Sequence, residues 1–125
     1  MKRVLLVTLF AIMGFVAIAA AQEAKKEEAP KPVTMTGEII DLSCYVDHAA
    51  MGMEHAKCAN SCIKKGLPVG FLSSDGTMYI MVGKDHEPIN ALVADFAGKK
   101  STVTGTVKEN KGFKSLELAT IADAK

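Results

Sequence analysis

The chain has 125 residues, of which 49% are hydrophobic and 6% aromatic, and its 15 basic side chains nearly balance its 14 acidic ones for a formal charge of +1. That size suits one domain with a modest core. Arg3 is the only arginine, and a near-neutral, aromatic-poor chain lacks the basic groove, stacking platforms and bidentate donors by which proteins hold nucleic acid.

Lys2 and Arg3 precede an apolar, uncharged run from Val4 to Ala21, which ends in Ala19-Ala20-Ala21 before Gln22. A basic start, an apolar run and a small-residue end predict a secretory signal peptide over 1–21, with a periplasmic or secreted mature chain. The alternative is an uncleaved anchor, since the run approaches spanning length. If the segment is cleaved, no stable membrane insertion is expected. Loss of Lys2 and Arg3 then takes the formal charge from +1 to one unit below zero. Export also sets the redox context. Cysteines tend to pair outside the cytosol, yet three cannot all pair within one chain.

Residues 22–32, "QEAKKEEAPKP", are charged and proline-containing without apolar periodicity, and predict a flexible linker. A single domain is expected over 33–125. In "VTMTGEIIDLSC" Val33, Met35, Gly37 and Ile39 alternate with threonines and Glu38, the period of a strand. Ile40 and Leu42 break the alternation, which predicts a bulge or a strand covered on both faces. A helical insert is expected from about Asp47 to Lys65, with Asp47 as N-cap and Gly66 as its stop. "LPVGFLSS" and "TMYIMVG" are the next two strands, turned by "SSDG". "EPINALVADFAGK" predicts a helix burying Ile89, Leu92, Val93 and Phe96, with Pro88 in its first turn and Gly98 at its end. "KSTVTGTVKE" and "FKSLELATI" read as a closing hairpin about "NKG".

Strand, helical insert, strand, strand, helix, strand, strand is the element order of a five-stranded oligonucleotide/oligosaccharide-binding (OB) barrel. With "VTMTGEIID", "DLSC", "HAKCANSC", "DGTMYIMVG" and "GKKSTVTGTV", the stretch from Val33 to about Ala122 resembles exported bacterial OB-fold-like domains of uncharacterised function. The resemblance implies a mainly β barrel with a helical insert after strand 1 and a helix between strands 3 and 4. Such a fold-level likeness brings no activity with it.

The chemistry is concentrated in the insert. On one continuous helix His48, Met51, His55, Cys58 and Cys62 fall along a narrow stripe, with Cys44 at the end of the first strand. Cys44, His55, Cys58 and Cys62 would make a three-cysteine, one-histidine shell of the kind zinc takes, and soft sulfur donors also suit Cu(I). A disulfide from Cys44 to Cys58 or Cys62 would instead staple the insert to the strand and leave one thiol over, with no metal. A reactive thiol beside His55, and ordinary packing of cysteine and methionine, are the remaining readings. Asp41 is placed to orient a ligating His55 through a hydrogen bond. His86 reads as a loop residue. No nucleophile–base–acid set, phosphate loop or juxtaposed carboxylate pair is visible. The sequence therefore points to a small binding protein with a zinc or copper site, or to a module for a protein or small-ligand partner, rather than to an enzyme.

Overall fold

In the computed structural model, which describes residues 30–125, the alternating segment forms β1 (Pro32–Asp41). The expected signal peptide and residues 22–29 of the expected linker lie outside the described residues. The remaining strands are β2 (Val69–Ser73), β3 (Met78–Val82), β4 (Lys100–Asn110) and β5 (Phe113–Asp123). They close into one ring in the order β1-β2-β3-β5-β4. The fold is mainly β, with helices after β1 and between β3 and β4.

β1 is long enough to pair on both sides. Its C-terminal half runs antiparallel to β2 from Gly37↔Ser73 to Asp41↔Val69. Its N-terminal part runs antiparallel to β4 from Pro32↔Thr106 to Glu38↔Lys100. The ring closes where β3 meets β5 in parallel register, Ile80↔Ser115 to Val82↔Glu117. The alternation of β1 and β4 sends Ile39 and Val103 inward, where they meet Phe71, Leu116, Ile63 and Val93 in the core. Ile40, opposite Gly70, is buried on the other face, and Leu42 packs over that glycine. The strand is thus covered on both sides at this end.

Two helical segments depart from the reading of the sequence. The insert is not one helix over 47–65 but two, α1 (Leu42–His48) and α2 (Ala56–Lys64). Asp41, not Asp47, caps α1, accepting from the backbone N–H of Ser43 and Cys44. The chain then turns through Ala49 and Gly52, both at positive φ, and so breaks the continuous stripe. Gly66 ends α2 as expected: its N–H bonds Ile63 and that of Leu67 bonds Cys62, the paired pattern of a glycine-terminated helix. The helix expected before β4 shortens to α3 (Asn90–Val93) followed by a 3₁₀ turn over Ala94–Phe96, with Pro88 outside it. Tightening from 3.6 to 3.0 residues per turn aligns Ala94 with Ala97. These two are buried while Leu92 is 66% exposed and Phe96 only partly covered. The Asn90 amide donates to the Ile63 and Leu67 carbonyls, satisfying the C-terminal end of α2.

The insert is seated on the ring by its backbone. The Gly52 N–H donates to the Glu38 carboxylate. Gly98, at φ +71, lies so close that a Cβ there would stand 2.7 Å from the Ala56 Cα and 2.7 Å from the Gly52 carbonyl oxygen. Gly98→Ala combines that clash with a left-handed backbone, so a loss of more than about 1 kcal/mol is expected. A urea titration reads it as a lower midpoint at unchanged slope; an unchanged midpoint would mean that the insert does not rest on Gly98.

Candidate metal centre

Asp41 ends β1 and starts α1, and this places Cys44 in the first turn of that helix rather than at the end of the strand. Cys58 and Cys62 stand four residues apart on α2. That spacing advances about 400° and 6 Å, so their side chains lie one above the other. α2 turns Ala59 and Ile63 into the core, and this orientation fixes where the neighbouring cysteine face points. Asn60 donates to the Ala94 carbonyl, and both Asn60 and Lys64 hold Asp95, so the helix cannot roll freely.

The outcome is a cluster. The sulfur atoms of Cys44, Cys58 and Cys62 all lie within 4.8 Å of one another. The three are free thiols, with Cys58 exposed and the other two partly covered. No pair is bonded as the disulfide reading required, and that staple is not what joins α1 to α2 here.

The cluster is electrostatically loaded. Asp41 is 1% exposed and accepts the Cys44 thiol as well as two backbone N–H groups. The hydrogen bond to Asp41 comes first in pushing the Cys44 thiol up to about 12, followed by burial and then by the negative charge of Asp41 and the neighbouring sulfurs. Cys62 is also raised, first by partial burial and then by Asp41 and Cys58, with the contact to Cys44 acting the other way. The environment therefore favours neutral thiols at Cys44 and Cys62.

Of the four residues singled out in the sequence, the fold brings together three. His55 stands outside the group. It occupies the N-cap position of α2, with its ring 5.9 Å from that of His48. Its backbone is already helical there (φ −97°, ψ −3°) and its carbonyl accepts the Ala59 N–H, while the break at Ala49–Gly52 separates His48 and Met51 from α2. Asp41 consequently orients Cys44 and not a histidine. The sequence does contain that signal: Asp41-Leu-Ser-Cys is an acceptor side chain followed by a first helical turn. His48 bonds Asp47 through Nδ1 at 3.1 Å. Asp47 therefore lies in the last turn of a helix, not at the start of one. No protein-family model, curated protein or solved structure matches this chain.

Asp41→Asn keeps a capping side chain but removes the charge. The Cys44 thiol should then fall from about 12 toward the ordinary thiol value near 9, raising the thiolate fraction at any pH below that range. Iodoacetamide labelling at pH 8, resolved by peptide mass, should be several-fold faster at Cys44 in the variant; an unchanged rate would remove Asp41 from control of this sulfur.

Proposed function

We propose that this chain is a small exported binding protein, built on an OB-like barrel, that holds a soft metal ion, zinc or Cu(I), on Cys44, Cys58 and Cys62. The convergence of three sulfurs within 4.8 Å carries the reading. An ion bound tetrahedrally at about 2.3 Å from each sulfur needs sulfur–sulfur separations of about 3.8 Å. The cluster therefore has to close by no more than about 1 Å, within reach of small side-chain rotations on two anchored helices. Thiolate donors select zinc and Cu(I) over hard cations.

The same geometry sets the character of the site. Three protein donors leave one tetrahedral position for water or for an incoming ligand, and Cys58 faces solvent. Three thiolates beside Asp41 also over-neutralise a divalent ion, which favours binding of a cation and disfavours anionic fourth ligands. Export, read from the N-terminal segment, brings the sulfurs into a compartment where bound metal guards them from oxidation. The helical insert and the helix before β4, placed around a closed five-stranded ring, support the OB-like reading of the scaffold.

Protein isolated from the exported fraction without reductant should hold close to one equivalent of zinc or copper and release three titratable thiols on chelation. Affinity should climb with pH, because each raised thiol has to lose a proton on binding. Cys→Ser at 44, 58 or 62 should each weaken binding beyond the 10–100-fold typical of losing an outer-shell contact. One free thiol, a disulfide and no metal would overturn the proposal in favour of a stapled structural module.

A further inference from the structure

Besides the thiol cluster, the described residues hold a second group of metal-ligating side chains. Residues 48–55 read His-Ala-Ala-Met-Gly-Met-Glu-His, two imidazoles flanking two thioethers. The left-handed turn at Ala49 reverses the chain, and it brings the rings of His48 and His55 to a centroid separation of 5.9 Å at 58°. Two imidazoles bound to one ion at about 2.0–2.1 Å per nitrogen have ring centres roughly 5–6 Å apart. The pair already stands at that spacing.

The histidine chemistry also fits. The Asp47 carboxylate lies 3.1 Å from His48 Nδ1. A carboxylate on one ring nitrogen fixes the proton there and leaves Nε2 with a free lone pair, the usual arrangement of a ligating histidine. Between the two histidines in sequence, Met51 is 47% and Met53 68% exposed. These thioethers do not serve the core, and two large apolar side chains on one short turn gain nothing by facing water. Their backbone, in contrast, is fixed: Gly52 donates to Glu38, the His55 N–H reaches the Gly52 carbonyl at 3.0 Å, and Ala50 is buried. The turn is held while its donor side chains remain free to close on an ion.

We infer that His48 and His55, with Met51 or Met53, form a second site, for Cu(I), on the turn between α1 and α2. Imidazole alone suits several metals, but thioethers are soft donors that zinc and harder ions do not favour, and this narrows the choice. The site shares no donor with the three-thiol cluster, so either can fail without the other.

The test uses the full chain with Cys44, Cys58 and Cys62 all changed to Ser, titrated anaerobically with Cu(I) kept reduced by ascorbate and competed with bicinchoninate. One equivalent of Cu(I) should be retained. Adding His48→Ala and His55→Ala should abolish retention, and Met51→Leu with Met53→Leu should weaken it beyond the 10–100-fold typical of losing an outer-shell contact, since a direct donor is lost. No retention by the folded cysteine-free chain, or equal retention after the histidine changes, would overturn the inference. Should the cysteine-free chain not fold, the wild type loaded stepwise with Cu(I) decides: the Met51 and Met53 methyl resonances and both imidazole resonances shift in one binding step, or the site does not exist.

Discussion

The carboxylate of Asp41 lies buried where β1 stops and α1 starts, and the geometry of the thiol cluster follows from how it is satisfied. A buried carboxylate needs several donors. It takes two from the backbone of the next turn and one from the Cys44 thiol. Those bonds force the chain to coil at once on leaving the sheet. Leu42 bonds back to the Pro68 carbonyl, so this end of β1 is also tied to the approach of β2. The position of Cys44 is therefore inherited from the ring, which is closed by pairing on every side and has no free edge to shift.

The other two sulfurs are positioned by packing. α2 buries Ala59 and Ile63, and its C-terminal carbonyls are taken up by Asn90 from the segment before β4. Both halves of the cluster are thus anchored to the same ring by unrelated means, one through a buried charge and one through an apolar face. That division matters for binding. A site assembled from two anchored elements needs little ordering when the ion arrives, so more of the interaction energy appears as affinity. Protons oppose it, since the charge that positions Cys44 also holds its thiol neutral. A bound cation would resolve the conflict by supplying the positive charge that the carboxylate and sulfurs lack.

Much of this was legible in the sequence. The strands were, because a side chain every second residue on a half-buried sheet leaves a period of two: Met35 and Ile39, Val103 and Val107, and the turn at Lys111-Gly112 were all readable. The convergence of Cys44 with Cys58 and Cys62 was readable in outcome, although Cys44 reaches the pair from the first turn of α1 and not from the strand end. The break inside the insert was not. His48, Met51, His55, Cys58 and Cys62 fit a continuous helix by spacing, and the left-handed backbone at Ala49, a residue with little propensity for that conformation, and at Gly52 defeats it. Local preference yields there to tertiary constraints: the cap at Asp41 starts the helix early, and the ring end at Glu38 takes the Gly52 N–H. Leu92 misled for a related reason. A 3.6-residue stripe was assumed where a tighter turn brings small alanines against α2 instead.

The distribution of donors bears on what the insert is for. All three cysteines and two of the three histidines fall between positions 44 and 62, together with Met51 and Met53. Packing does not explain this concentration. α1 buries none of its residues, Cys58 is exposed, and both methionines face solvent. The fully buried residues of the insert are Ala50, Ala59 and Ile63, which carry no donor chemistry. In this segment the fully buried side chains are alanine and isoleucine, while His48, Met51, Met53 and Cys58 are exposed and Cys44, His55 and Cys62 only partly covered. That separation is what the proposed metal site would require of the insert.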